Sequence, residues 1–355
     1  MAAAVTDRQD GPVALSLPAP RTPDPASAPA LRWGILAPGG IAHAFASALR
    51  ARTGQQLQAV GSRSLPRAEA FAREFGVRTA YGSYAAAVAD PDVDVVYIAS
   101  PHSEHQALAL LAIEAGKPVL VEKAFTRNAA EASSVVDAAR AAGVFAMEAM
   151  WTRFQPRIDV VRQCLEQGLL GEVHTVLADH GQRLHPGGPA RLAQPELAGG
   201  ALLDLGIYPV SFAHLVFGGF ESVSATGQLT ELGVDAQDAI TVTATNGGLG
   251  LLGTTMLAKT PTTASISGTE ARLELDGDFY SAGAAIRLVD TDGSELDRFE
   301  PRDRDHGLHF QAAEVARRVV AGELESPLMP LDETVAIMTA LDQVRAQVGV
   351  RYPGE

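Results

Sequence analysis

From residue 32 to about 148, short apolar runs alternate with alanine-rich stretches of helical length; the runs are RWGIL, QLQAVG, DVVYIAS, PVLVEKA and VFAMEAM. Strands without a polar face, interleaved with helices, predict a parallel sheet covered on both sides. Helix punctuation agrees. Ser103 with Gln106, and Asn128 with Glu131, have the spacing of N-terminal capping boxes, while Gly116 and Gly143 stand where helices should stop.

After about residue 154 the pattern becomes an alternation rich in Thr and Val, in HTVLADH, FESVSATGQ, AITVTAT, LGLLGTTM, ARLELDG and AIRLVDT, joined by turns containing Gly and Asp. Alternation of this kind predicts a largely antiparallel sheet with one buried face. Two helical stretches, HFQAAEVARRVVAG and LDETVAIMTALDQVRAQ, close the chain and are expected to cover a face of that sheet. A face left open is expected to pair with a second copy, as a homodimer or homotetramer, because exposed apolar strand surface otherwise aggregates.

The chain therefore divides into a disordered arm over 1–30, rich in Ala, Pro and Ser, an α/β domain over 31–153 and an α+β domain over 154–355. Its 355 residues, 46% of them hydrophobic, suffice for two cores. A net charge of −14 leaves little basic surface for a phosphate backbone, so nucleic acid is not an expected partner. The single cysteine, Cys164, rules out an internal disulfide and a cysteine-based zinc site, which suits a reducing cytoplasm. Charges and glycines interrupt every apolar stretch short of the ~18 residues needed to span a bilayer, so no membrane partner is expected. His180 with His185, and His306 with His309, lack a third ligand in register, and no G-x-S-x-G elbow occurs, which argues against a metal site and a hydrolase.

Chemistry enters with LRWGILAPGGIAHAFASAL, where Ala37, Gly39 and Ala42 occupy the three places of a G-x-G-x-x-G/A turn. Such a turn keeps side chains away so that a pyrophosphate can reach amides at a helix N-terminus, as in a Rossmann domain. About 20 residues on, NAD-binding chains place an acid for the ribose hydroxyls. This chain has Ser62, Arg63, Ser64 and Arg67 there instead, donors suited to a 2′-phosphate, so NADP is expected as cofactor, with NAD possible. The fifth strand delivers Glu122 and Lys123 to its carboxyl end, where open α/β sheets bind ligands. Lys123 is one of three lysines, and lysine can carry a proton where arginine cannot. In GGALLDLGIYPVSFAHLVFG, Asp204 and Tyr208 lie four apart and share a face if the segment is helical. Arg183, His185 and Arg191 in the loop DHGQRLHPGGPARLAQPE could meet a substrate or simply be solvated, and His105 reads as a packing residue.

These pieces, with SPHSEHQALALLAIEAGKPVLVEKA, MEAMWTRFQP, GGALLDLGIYP, HFQAAEVARRVVAGELESPLMP and VGVRYP, resemble the Gfo/Idh/MocA family of oxidoreductases over nearly everything after residue 31. Within it the chain looks most like the dihydrodiol dehydrogenase and NADP-dependent xylose dehydrogenase branches. The resemblance implies an N-terminal Rossmann domain followed by an α+β domain on a large, mostly antiparallel open sheet. It matches Lys123 to the lysine of the E-K-P signature and Asp204 and Tyr208 to the family's Asp and Tyr. Trp151 matches an aromatic walling the nicotinamide and substrate. Ala37, Gly39, Gly40, Ile41, Ser62, Arg63, Arg67, Ser100, His102, Glu122, Lys123, Trp151 and Arg153 are then expected at the cofactor, and Lys123, Trp151, Phe154, Asp204 and Tyr208 at the substrate. Ala124 in place of the signature proline and Ala37 in place of the first glycine are departures from the pattern.

The expected reaction is hydride transfer between nicotinamide and a hydroxyl-bearing carbon of a sugar, cyclic polyol or dihydrodiol, with Tyr208 as general base and Lys123 favouring its phenolate. A keto-sugar reductase of the 1,5-anhydrofructose type and a non-catalytic NADP-binding regulator are the alternatives.

Overall fold

The computed structural model describes residues 15–301 and 306–355. Its first sheet contains β1 (Arg32–Leu36), β2 (Gln56–Gly61), β3 (Thr79–Tyr81), β4 (Val95–Ile98), β5 (Val119–Glu122) and β6 (Ala146–Ala149) in the order β3-β2-β1-β4-β5-β6. All its pairings are parallel. β1, β4, β5 and β6 are almost wholly buried, as strands sandwiched between helices must be. The intervening helices are α1 (Gly40–Arg52), α2 (Leu65–Phe75), α3 (Tyr84–Val88), α4 (His105–Glu114) and α5 (Ala129–Ala142). The strand order reverses between β1 and β4, and ligands bind beyond the carboxyl ends of strands at such a switch point.

Local punctuation was half legible. Asn128 accepts the Glu131 N–H at 2.9 Å and caps α5, and Gly143 ends it in left-handed backbone. The box expected at Ser103 does not form: a 3-10 turn at His102–Glu104 precedes α4, whose cap is Glu104, and the Ser103 hydroxyl has no hydrogen bond among the described residues. Pro101 starts that turn, so the chain enters the helix one turn earlier than the serine suggests.

The second sheet has order β14-β13-β12-β11-β7-β10-β9-β8, antiparallel except for β7 against β10. Its strands are β7 (Val173–Gly181), β8 (Phe220–Leu229), β9 (Asp235–Ala244), β10 (Leu249–Thr255), β11 (Ala264–Gly268), β12 (Ala271–Leu275), β13 (Ile286–Asp290) and β14 (Glu295–Phe299). β3, β11 and β14 were not foreseen: β3 has three residues, and β14 is a charged edge without a buried position. On one face the sheet carries α7 (Ile207–Phe217) and α9 (Leu331–Val348). The other face is open, with Leu177 and Leu251 in register on neighbouring strands and 45% and 52% exposed.

Three expectations need correction or completion. Of the two closing helices only α9 covers the sheet; α8 (Leu308–Val320) packs on α1, on the turn Trp151–Phe154 and on the turn Pro25–Ser27. Residues 15–30 are not a free arm: Leu15 and Leu17 pack on the core, and Arg21 pairs with Asp159 (2.7 Å) and Glu166 (2.9 Å) of α6 (Pro156–Glu166). Carboxylates elsewhere in the chain order this segment, which its own composition cannot. Residues 1–14 lie outside the described residues. Finally, one helical run, Pro195–Phe217, is long and apolar enough to cross a membrane, and 83% of its most apolar window is buried inside the protein. Its apolarity reflects burial between the sheet and the first domain.

Candidate active site

The glycine turn forms as the motif requires. Ala37 adopts φ 64°, the left-handed backbone that glycine reaches freely, and Gly39 donates its N–H to the Ala37 carbonyl at 2.7 Å before capping α1. Alanine there costs roughly 1–2 kcal/mol yet keeps the turn. A Cβ built on Gly40 would touch nothing within 4 Å, so the helix N-terminus faces open space of the kind a pyrophosphate needs. At the end of β2, Ser62 is buried and accepts the Ser64 N–H at 3.2 Å, while Arg63 and Arg67 stand exposed. Arg63 reaches Glu104 only at 3.9 Å, and Arg67 has no carboxylate partner among the described residues.

Lys123 follows β5 directly. Its ammonium donates to the Asp204 backbone carbonyl at 2.7 Å, lies 3.7 Å from the Asp204 carboxylate and sits 4.9 Å above the Tyr208 ring centroid. Two buried histidines hold the backbone beneath it. His102 contacts the carbonyls of Lys123 (3.2 Å) and Ala198 (3.0 Å), and His105 those of Ala124 (2.9 Å) and Ser100 (2.9 Å). Ala124, fully buried, is joined to Lys123 by a cis peptide bond. Glu122 receives the Tyr97 hydroxyl at 2.5 Å, and burial pushes its carboxyl up to about 7.

Asp204 and Tyr208 come together as expected, though not through a regular α-helix. Leu202–Gly206 is a π turn running into α7, and π turns recur at functional sites because the widened turn redirects side chains. Arg191 donates to the Asp204 carboxylate at 2.8 Å. Lys123 and Arg191 together hold that carboxyl below its usual range, against the burial that acts to raise it. The Tyr208 hydroxyl receives the Trp151 indole N–H at 2.9 Å. Burial, followed by the charge of Glu122, drives the phenol well above its ordinary value, acting against the phenolate that Lys123 favours. Rings gather round it: Tyr280 lies 4.8 Å and His180 5.1 Å from Tyr208, His180 stacks on Tyr280 at 4.3 Å, and His306 meets Trp151 edge-on at 6.0 Å.

One cleft of about 760 Å³ takes in Ala37, Gly39, Gly40, Ile41, Ser62, Arg63, Arg67, Ser100, His102, Glu122, Lys123, Trp151, Asp204 and Tyr208. Two expected members are elsewhere. Arg153 is 2% exposed and spends its guanidinium on Ser211 (3.0 Å) and Glu333 (2.7 Å), tying the Trp151 turn to α7 and α9. Phe154 is buried beside α6 and α8 and does not reach the cleft. Both follow Trp151 in a 3-10 turn, where Arg153, two residues on, is turned away from Trp151, while Phe154 packs towards α6 and α8. Of Arg183, His185 and Arg191, only Arg191 lines the cleft, with Tyr280 and His306 arriving unforeseen from the turn after β12 and the approach to α8. No spacing marks these two, because only folding brings them to Trp151.

A dinucleotide-binding turn, a lysine and a phenol in one cleft between a doubly wound sheet and an open sheet define a nicotinamide-dependent oxidoreductase. Two family models match: residues 31–150 fit the oxidoreductase family with an NAD-binding Rossmann fold, and residues 158–274 fit the GFO/IDH/MocA C-terminal domain. The chain belongs to the Gfo/Idh/MocA family. It is 37% identical to a trans-1,2-dihydrobenzene-1,2-diol dehydrogenase of Bos taurus over 337 residues, covering 91% of this chain and 98% of that one. A second dehydrogenase of that name, from Danio rerio, is 37% identical over 330 residues, with the same coverage. Among solved structures, a 3-ketoreductase from Actinomadura kijaniata in complex with NADP and TDP-benzene superposes with a TM-score of 0.80 at 26% identity, over 90% of this chain and 98% of that one.

The proton on Glu122 gives a test. Its native pKa of about 7 lies above the ordinary ~4.3, so the native state binds the proton more tightly and stability falls as pH rises between those values, then levels off. Glu122→Gln should remove that fall, bringing urea midpoints at about pH 5 and about pH 8 closer together than in the parent. Glu148, raised to about 7 in the same way, leaves a residual slope in both proteins. An unchanged separation would show that Glu122 is not a buried acid.

Proposed function

We propose that this chain is an NADP-dependent dehydrogenase acting on a secondary alcohol of a sugar, cyclic polyol or dihydrodiol, and on the matching ketone in reverse. The observation that carries the reading is the meeting of Lys123 from the first domain with Asp204 and Tyr208 from the second, in the cleft that begins at the glycine turn. Gly39, Gly40 and Ile41 would hold the pyrophosphate, Ser62, Arg63 and Arg67 the 2′-phosphate, and Ser100, His102, Glu122 and Trp151 the remaining wall. The cofactor, when bound, supplies the hydride chemistry.

The protein's own part is proton transfer and charge. Neutral Tyr208 donates its proton to the carbonyl oxygen of a ketone as that oxygen becomes an alkoxide. The Lys123 ammonium, fixed by the Asp204 carbonyl, stabilises the negative oxygen and then the phenolate left behind. Asp204 acts by positioning Lys123 and Arg191. The rings of Trp151, Tyr208 and Tyr280 suit the apolar C–H face of a cyclic substrate, whose hydroxyls would meet the charged side. A phenol held protonated favours the ketone-reducing direction near neutrality, which supports the second reading, a keto-sugar reductase; the 3-ketoreductase relative is in keeping with it. Pairing of two copies through the open sheet face is part of the same proposal, supported by the exposed Leu177 and Leu251.

Four outcomes are expected. Purified protein should interconvert NADP+ and NADPH with cyclic diols, sugars or their ketones, with oxidation quickening as pH rises because it needs the phenolate. Tyr208→Phe should lower kcat by ~10²–10⁴ and leave NADPH affinity, read by fluorescence, unchanged; full turnover in that variant would remove Tyr208 from the chemistry. Arg63→Ala combined with Arg67→Ala should raise KM for NADP+ and not for NAD+, and equal effects would refute the 2′-phosphate assignment. Leu177→Asp should shift light-scattering mass to the monomer; an unchanged oligomer would place the interface elsewhere.

A further inference from the structure

Behind the segment bearing Asp204 lies a pair of buried acids that the reaction does not use, Asp235 and Asp238 on β9, 0% and 5% exposed. Three residues apart in a strand, they should point to opposite faces. The pairing of β8 with β9 slips at this point, Gln228 opposing Gln237 and Leu229 opposing Asp235, so Ala236 is an extra residue. That bulge turns Asp235 to the same buried face as Asp238.

Asp235 Oδ2 accepts the N–H of Leu202, the first residue of the π turn that carries Asp204. Its Oδ1 lies against Gly200, where a Cβ would fall 2.1 Å away, and this contact accounts for glycine at φ 115° in the GGALLDLG segment. The carbonyl of the preceding Gly199 is held from the other side by the Tyr352 hydroxyl at 2.8 Å. Neither oxygen of Asp238 receives a hydrogen bond from an N–H or O–H group of the described residues. Two carboxylates in contact within a protein interior cannot both stay ionised, and one proton between them engages two of the three oxygens that lack donors. Burial and the neighbouring Asp235 push Asp238 up to about 9, while the peptide N–H groups of Leu202 and Ala201 oppose the rise that burial imposes on Asp235. Tyr352 is the other titratable group facing the pair, with Arg345 4.7 Å over its ring.

We propose that Asp235 and Asp238 are positioning residues for the active site: they share one proton, carried by Asp238, and the carboxylate of Asp235 anchors the Leu202 N–H and so sets the turn that presents Asp204 and its carbonyl to Lys123. The kinetic part rests on the function proposed above; the shared proton does not.

The proton is tested without turnover. At about pH 8.5, above the values near 7 of Glu122 and Glu148, the infrared spectrum of the parent should contain a buried carboxylic-acid C=O band that is lost in Asp238→Asn and in Asp235→Asn, since an asparagine amide can donate to the remaining carboxylate. Persistence of the band in both variants, or its absence from the parent, overturns the shared proton. For positioning, Asp235→Ala should lower kcat at least tenfold with NADPH affinity changed less than twofold, and Asp235→Asn, which still accepts from Leu202, should recover most of the loss. Should the alanine variant fail to fold, Gly200→Ala displaces Asp235 by its methyl group and should give the same split between kcat and cofactor affinity. Parental kcat in a folded Asp235→Ala or Gly200→Ala protein, or an asparagine variant as slow as alanine, overturns the positioning role.

Discussion

Everything in the cleft depends on one hydrogen bond, from the Lys123 ammonium to the backbone carbonyl of Asp204. It joins the carboxyl end of a buried parallel strand to the first turn of a buried helix in the other domain. A side-chain acceptor could rotate away; a main-chain carbonyl in a packed helix cannot. The π turn at Leu202–Gly206 and the histidines gripping the Lys123 and Ala124 carbonyls make both ends of that bond stiff.

Burial then decides which groups carry protons. Desolvation raises Glu122 to about 7 and holds the proton more tightly on Tyr208, whereas Asp204, equally enclosed, is held below its usual range by the two cations that face it. Acids and a phenol within one cleft are thus sorted by their neighbours rather than by their ordinary acidities, which is the arrangement proton transfer to a substrate oxygen needs. The cluster of Trp151, Tyr280, His180 and Tyr208 excludes water from the phenol and supplies its one donor, the indole N–H.

Much of this was legible along the chain. The parallel sheet showed itself because strands covered on both faces have no polar positions, and the second sheet because half-covered strands alternate. Gly39 and Gly40 were legible because a phosphate-binding turn is a local pattern with a direct mechanical meaning, whereas Lys123 at a strand end and Asp204 with Tyr208 four residues on stood out only in combination with the family resemblance. Arg153 and Phe154 were misplaced because partners distant in the chain hold them, Ser211 and Glu333 for the guanidinium and the packing of α6 and α8 for the ring, which proximity to Trp151 in sequence cannot reveal. The arm over 15–30 was misread because its order comes from Asp159 and Glu166, about 140 residues away.

By itself, then, the order of residues determined most of the elements and the class of cofactor turn, since these follow from periodicities of two and 3.6 residues and from backbone sterics, and it supplied a short list of candidate site side chains. Only the tertiary structure decided that Arg191, Tyr280 and His306 share the cleft, that Arg153 is a buried strut and that burial raises the Tyr208 phenol. Charge state and long-range contact are set by desolvation and by partners distant in the chain, and no local pattern encodes either.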